Sequence, residues 1–489
     1  MTTSFFPDLA WLNARRDRPL SVAHRGASFY ANENTLKAFR RAAELNADFW
    51  EVDLRLTADG ICVACHDRDL GYIGRKDLIF SEQSYQVLRQ ASEEAGRTVP
   101  RLEEIIALAK ETDTGLYLDV KAVEAASVIL QQLAENQISK AVFGTTSPDT
   151  CRQLQADGCP WPVAMLIPPR VDPFEAARLT GADIIHPCWE YASPKPQKLL
   201  TPEMLERAAN EGLHLMLWHE ERAEVIKDLL QMPVLGICSD RPEMLKPFSQ
   251  ITSSAIDIVC HRGAHNIAPE NTLPAVDAAF AAGFSYVEID VFETADNQLV
   301  VIHDYQLERT TDGTGNVGET SLADLLKLDA GSWFDSFYQG IQLPLLVEVI
   351  ALAKEYGGQL YIELKLADPL KVLRLVEEMD FLDHCFFWSF NKKYLRTIRG
   401  ASSKARLMSR RQDYSTLDKS ITDFDADVVE FHHSIASLQD IQDCRERGVR
   451  VMLAYSGDNQ EDIKKLIQLS PDLMNVDSPF VLHKLLTDA

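Results

Sequence analysis

Two histidines in this sequence, each joined to a charged neighbour, could share one piece of chemistry: His261 in His261-Arg262-Gly263 and His303 in His303-Asp304. Imidazoles titrate near neutral pH, so a pair flanking one oxygen can serve as general acid and general base. Glu288 and Asp290 stand two positions apart between them, a spacing that puts both carboxylates on one face of a strand. Their neighbours Tyr286, Val287, Ile289 and Val291 mark that strand as buried, and two carboxylates turned inward call for a cation. Glu363 offers a third oxygen, and ligands that are all carboxylates suit Mg2+ or Ca2+ better than zinc. Arg262 and Lys365 would neutralise phosphate oxygens and the charge that builds in a transition state. Such a set suits cleavage of a phosphodiester near neutral pH.

Every member has a counterpart nearer the N-terminus. His24, Arg25, Glu51, Asp53 and His66 precede His261, Arg262, Glu288, Asp290 and His303 by the same 237 positions. From Val22 to Asp67 the two copies align without a gap and are identical at 20 of 46 positions. The spacing then widens to 244, pairing Asp119 and Lys121 with Glu363 and Lys365, and returns to 237 where Asp240 pairs with Asp477. The sequence is therefore an internal duplication. The expected domains are 1–245 and 256–489, joined by a polar, proline-containing linker at 246–255.

These residues must be held by recurring elements. In each copy short apolar runs, such as Ser21-Val22-Ala23, Phe49 to Leu54 and Leu116-Tyr117-Leu118, alternate with helical patterns. Strand and helix alternating over a span of this length predict α/β architecture, with two tandem (β/α)8 TIM barrels. In such a barrel the active site forms at the C-terminal ends of the strands, and the repeated polar residues fall there. About nine strand-like runs compete for eight barrel positions in a copy. One must lie outside, and the sequence does not say which.

With 489 residues, 46% of them hydrophobic, the chain is long enough for two sizeable cores. A formal net charge of −24 disfavours nucleic acid and anionic membrane surfaces as partners. Residues 1–20 lack the apolar core of a signal peptide, and no run of 18 apolar residues predicts a membrane span. Nine scattered cysteines read as reduced thiols, so a cytoplasmic location is expected. Cys62 and Cys65 form a Cys-x-x-Cys, but Ile-Cys-Val-Ala-Cys reads as a buried strand rather than a redox or metal motif.

The ordered motifs His261-Arg262-Gly263, Pro269-Glu270-Asn271-Thr272, Glu288-x-Asp290, His303-Asp304, Arg309-Thr310-Thr311-Asp312-Gly313, Pro344-x-Leu346-x-Glu348, Glu363-x-Lys365, Ser389-Phe390 and Asp477-x-Pro479 closely resemble the glycerophosphodiester phosphodiesterase family. That resemblance implies a barrel with a small insertion after the third strand, hydrolysing glycerophosphodiesters to glycerol 3-phosphate and an alcohol. It implies His261 and His303 as acid and base, Glu288, Asp290 and Glu363 as ligands of a divalent cation, and Arg262 and Lys365 on the phosphate. Either water or the substrate's own glycerol hydroxyl could attack phosphorus.

The first copy keeps His24 and His66 as acid and base, Arg25 and Lys121 for phosphate, and Glu51 and Asp53 for metal. It departs at Asn32, at Asp119 in place of the third glutamate, at Thr145-Thr146, and at Leu70 to Gly74 where the Arg-Thr-Thr-Asp-Gly stretch would fall. Retention of both histidines favours an active first barrel over a binding scaffold. It also disfavours a non-catalytic phosphodiester sensor, which needs cations but no proton-transfer pair. A phospholipase on the same barrel is the remaining alternative.

Overall fold

The alternation of apolar runs and helical patterns folds, twice, as parallel strands joined by helices. In the computed structural model, which describes residues 5–189, 192–248 and 256–487, the chain forms two units, Met1–Lys246 and Pro247–Ala489. Most of the expected linker, 249–255, lies outside the described residues. Phe248 belongs to the second unit, its ring 5.8 Å from Phe284 and 5.2 Å from His483.

The first unit contains β1 (Leu20–Ala23), β2 (Phe49–Leu56), β3 (Cys62–Ala64), β4 (Asp69–Leu70), β5 (Arg75–Ile79), β6 (Gly115–Val120), β7 (Ala141–Thr145), β8 (Val163–Ile167), β9 (Ile184–Pro187), β10 (His214–Leu217) and β11 (Gly236–Ser239). Strands β1, β2 and β6 to β11 pair side by side in that order, and β11 returns to β1, closing an eight-stranded parallel barrel. Its interior is filled by Leu20, Val22, Phe49, Tyr117, Ala164 and Met216 among others, with Trp11 and Leu12 packed against them.

The second unit repeats the plan with β12 (Asp257–Cys260), β13 (Tyr286–Glu293), β14 (Leu299–Val301), β15 (Gln359–Leu366), β16 (Cys385–Trp388), β17 (Met408–Arg410), β18 (Val428–His432), β19 (Arg450–Tyr455) and β20 (Leu473–Val476). Eight of these are parallel, and the seam between β16 and β17 is bridged only at Phe387 and Leu407. The barrel is nearly closed.

The surplus run is the third one. Strands β3 and β14 are not barrel staves: each folds back antiparallel on the strand before it, Ala64 opposite Leu54 and Val301 opposite Val291. His66 and His303 therefore do not sit at the C-terminal end of a parallel strand, as the alternation suggested. The hairpin carries the chain beyond the barrel rim and back, and Ile302 N–H donates to the Asp290 carbonyl at 3.0 Å. This return brings His303 level with Asp290.

The insertion following each return strand has a small core of its own. In the second unit Phe292, Val300, Ile302, Leu307, Val317, Leu325, Ala330 and Leu343 cluster together. In the first unit Val63, Cys65, Leu70, Leu78, Phe80, Leu88 and Val99 do the same. Each large apolar side chain buried there contributes about 2 kcal/mol, enough collectively to hold the segment carrying the second histidine. Cys62 and Cys65 are both free and buried, and burial pushes both thiols up to about 12, which leaves them unreactive. No helix among the described residues is long and apolar enough to cross a membrane.

Candidate functional site

The His-Arg-Gly turn needs its glycine for two reasons. In the second unit Arg262 takes φ 57° and Gly263 φ 82°, both left-handed, and a Cβ on Gly263 would lie 2.8 Å from the Ala275 backbone. This close approach lets the chain turn from β12 toward its helix, Leu273–Ala281, while pointing His261 and the Arg262 amide at the barrel mouth. Asn271, also left-handed at φ 55°, then clamps β13: its Nδ2 donates to Asp290 Oδ2 at 2.8 Å, and its Oδ1 accepts from Asp290 N at 3.1 Å.

Register supplies the third carboxylate. Asp290 and Glu363 are direct partners across β13 and β15, and one oxygen from each of Glu288, Asp290 and Glu363 lies within 4.8 Å of the others. All three side chains are buried. Glu288 also accepts from Arg262 N at 2.7 Å, while Lys365 Nζ reaches Asp290 Oδ1 at 3.1 Å and pairs with Glu363. Burial first, and then repulsion from Asp290 and Glu363, raises the Glu288 carboxyl well above its usual range. Burial and Asp290 likewise push Glu363 up to about 7. Asp290 Oδ1 and Glu363 Oε1 are buried without a hydrogen bond, having only their ion pairs with Lys365. Three carboxyl groups gathered at one point, two of them resisting ionisation and two oxygens lacking a hydrogen bond, form an all-oxygen donor set that fits a hard divalent cation.

Each histidine is backed by a carboxylate. His261 Nδ1–H donates to Asp477 Oδ1 at 2.5 Å, and its Nε2 lies 4.0 Å from Glu288. Burial pushes the Asp477 carboxyl up, but the hydrogen bond from His261 together with the nearby charges of His261, His265 and Arg262 holds the group below its usual value. His303 Nδ1–H donates to Asp304 Oδ1 at 2.5 Å. Partial burial lowers the His303 imidazole against the pull of Asp290 and Asp304, favouring its neutral form. Arg309 ties this dyad to the other side of the mouth. It pairs with Asp304 and with both oxygens of Glu270, which in turn binds Arg262 at 3.0 Å.

His261, Arg262, Glu288, His303, Glu363, Lys365 and Asp477 line a cleft of about 220 Å³ with Tyr361, Trp388, Phe390, Arg410, Glu430, Tyr455, Ser456 and Asn475. Reasoning from sequence missed the second half of this wall. Asp477 and Arg309 were visible within motifs, but Trp388, Arg410, Glu430 and Tyr455 carry no motif, and only their positions on β16 to β19 mark them.

The first unit brings its expected residues together in the same way. Glu51, Asp53 and Asp119 cluster within 4.8 Å, with Asp53 opposite Asp119 in the register. Arg25 N–H donates to Glu51 at 2.9 Å, and Lys121 Nζ lies 2.8 Å from Asp53. His24 donates to Asp240 at 2.7 Å and His66 to Asp67 at 2.9 Å. The mouth differs. In strand register, Gly144, Leu166, His186, Trp218 and His219 stand where the second unit has Trp388, Arg410, Glu430, Ala454 and Tyr455. The cross-strand pair Arg410 and Glu430 thus becomes Leu166 and His186, and His186 hydrogen bonds to the Tyr117 hydroxyl at 2.7 Å in the interior. His219 stacks on His24 with centroids 4.6 Å apart, and Trp218 packs edge-on at 5.7 Å. The His24 side chain is 7% exposed where His261 is 28%. Burial lowers the His24 imidazole.

The model of the glycerophosphoryl diester phosphodiesterase family matches residues 24–244 and again residues 261–481. The chain belongs to that family. Among its relatives, the putative glycerophosphodiester phosphodiesterase YhdW of Bacillus subtilis is 40% identical over 134 residues, 27% of this chain and 54% of that protein. The glycerophosphodiester phosphodiesterase of Caldanaerobacter subterraneus is 28% identical over 247 residues, covering 47% of this chain and 96% of its own. Of solved structures, the glycerophosphodiester phosphodiesterase of Agrobacterium tumefaciens is 33% identical over 47% of this chain and 99% of its own, with a TM-score of 0.45. A phosphodiesterase of Oleispira antarctica, solved with the product sn-glycerol-3-phosphate, is 27% identical over 50% and 100%, with a TM-score of 0.44. The tandem barrels expected from the repeat are two domains of this family, and the chain is by family a phosphodiesterase.

Proposed function

We propose that the second barrel hydrolyses glycerophosphodiesters to glycerol 3-phosphate and an alcohol, with Mg2+ or Ca2+ held by Glu288, Asp290 and Glu363. The observation that carries this reading is the convergence of two histidine–aspartate dyads on one buried tri-carboxylate cluster inside an open cleft. A bound cation would supply Lewis-acid polarisation of a phosphoryl oxygen. Arg262 and Lys365 neutralise the remaining phosphate oxygens. His303, kept neutral by burial, takes the proton from the attacking hydroxyl, of water or of the substrate's glycerol. His261, between Asp477 and Glu288, gives a proton to the departing alkoxide. Asp477 and Asp304 fix which ring nitrogen carries the proton in each case. With water as nucleophile, the bond from phosphorus to the alcohol oxygen breaks as one to water oxygen forms; with the glycerol hydroxyl, that bond breaks as a cyclic phosphate forms, and water then opens the ring to glycerol 3-phosphate.

The first barrel has the acid, base and metal residues, but Trp218 and His219 cover its His24, and in our reading it does not turn over the same substrate. This reverses the expectation that retained histidines signal activity. The domain assignment and a cytoplasmic location are parts of the same proposal. The test is release of glycerol 3-phosphate from glycerophosphocholine and glycerophosphoethanolamine, with chelator and then with each divalent ion restored. His303→Ala should abolish turnover and His66→Ala should leave it intact. The opposite result would assign the chemistry to the first barrel.

A further inference from the structure

The two barrels keep the same acid and base residues but differ along one arc of the wall. In strand register Trp388, Arg410, Glu430 and Asn475 of the second barrel correspond to Gly144, Leu166, His186 and Cys238 of the first. That arc lies beside the acid. Asn475 and Asp477 stand two positions apart at the end of β20, so they share a face, and Asp477 holds His261. Glu430 is buried beside the Asn475 amide and close enough to His261 to feel its charge. With His261 as the acid, the departing alcohol lies on this side of the cleft.

Two features of the wall bear on which alcohol fits. The rings of Trp388 and Phe390, with centroids 4.5 Å apart, are the groups that would attract a quaternary ammonium. Arg410 already takes them: its guanidinium carbon lies 5.0 Å from one ring and 4.9 Å from the other. Arg410 Nε is also 3.8 Å from Glu430 and 3.7 Å from Asp413, so the wall balances its own charge. The second feature is Asn475 Oδ1, which is buried in the cleft wall without a hydrogen-bond partner. An acceptor left in that state costs free energy that a hydroxyl of the bound alcohol recovers. An ammonium can donate to Asn475 but accepts nothing from Arg410, whereas hydroxyl groups do both.

We infer that Trp388, Arg410, Glu430 and Asn475 form the alcohol subsite of the second barrel and select a neutral polyhydroxy alcohol, of the glycerol or inositol kind, over choline and ethanolamine. The inference rests on hydrolysis by the second barrel, as proposed above, and names the class of alcohol released. The full chain, with its divalent ion restored, is given glycerophosphoglycerol, glycerophosphoinositol, glycerophosphocholine and glycerophosphoethanolamine, and kcat/KM for release of glycerol 3-phosphate is compared. Wild type should favour the two polyol diesters by at least about tenfold. Arg410→Leu, which installs the side chain of the first barrel, frees both ring faces and leaves Glu430 to attract a cation. It should cut the ratio of polyol to choline diester by at least about tenfold. Asn475→Ala removes the unpaired acceptor and should cut the same ratio by at least about fivefold. A wild type that hydrolyses the choline or ethanolamine diester as well as the polyol diesters overturns the inference whatever the variants do, and leaves hydrolysis itself standing. Active Arg410→Leu and Asn475→Ala proteins that keep the wild-type ranking overturn it too. Release of glycerol 3-phosphate from none of the four diesters, with any divalent ion, removes the hydrolysis reading and this inference with it.

Discussion

Replacing Asp477 by Asn removes the charge behind His261 while keeping the shape of its partner. The hydrogen bond at stake is 2.5 Å long, joins a ring to a carboxylate, and lies in a partly buried mouth. A hydrogen bond to a charged group in such a setting contributes about 2 to 3 kcal/mol, and an asparagine that presents its amide can also impose the wrong tautomer. Together these set an expected loss of roughly 30- to 1000-fold in kcat, since each 1.4 kcal/mol is about tenfold. The pH profile tests the role as well as the size. With the carboxylate gone, a protonated His261 is less well stabilised, so the alkaline limb of kcat/KM should move down by about one to two pH units. Asp304→Asn should instead move the acidic limb down, because there the neutral imidazole is the active form. Stopped assays of glycerol 3-phosphate release across pH 5 to 10, at saturating Mg2+, read both. If Asp477→Asn keeps its rate within about threefold and both limbs stay in place, the dyad has no part in proton transfer. If it moves the acidic limb, the acid and base are exchanged.

Glu363 is pushed up to about 7 chiefly by burial, so without metal its contribution to stability is fully present below the ordinary carboxyl range and is lost as pH rises through about 7. That loss is on the order of 3 kcal/mol. Chelated wild type should therefore lose stability from pH 5 to 8 more steeply than Glu363→Gln, and divalent ion should restore wild type at pH 8; matching denaturation slopes for the two proteins would refute it. Arg309→Gln cuts the ties to Asp304 and Glu270 and should lower kcat about tenfold with little change in KM, read by steady-state kinetics. Gly263→Ala forces a Cβ to within 2.8 Å of the Ala275 backbone at φ 82° and should cost about 2 to 3 kcal/mol. Urea denaturation of the isolated transition reads that cost, and a loss under about 0.5 kcal/mol would show the turn to be slack.

Much of this protein was legible in one dimension because its determinants are local. The constant spacing of the repeat, the strand alternation that turns Glu288 and Asp290 to one face, and the His-Arg-Gly turn all lie within a few consecutive residues or recur verbatim. Family membership followed from the order of such motifs. Only the tertiary structure decided which strand-like run leaves the barrel, because β14 is as apolar as its neighbours and only its pairing partner makes it antiparallel. Asp477 reaches His261 across 216 positions, and Glu363 meets Asp290 through strand register, relations that depend on how distant segments close the barrel. The state of the first mouth is of the same kind. His24 carries an intact motif, and what covers it is the volume of Trp218 and His219 arriving from the end of β10, distant in sequence but only two strands away in the closed sheet.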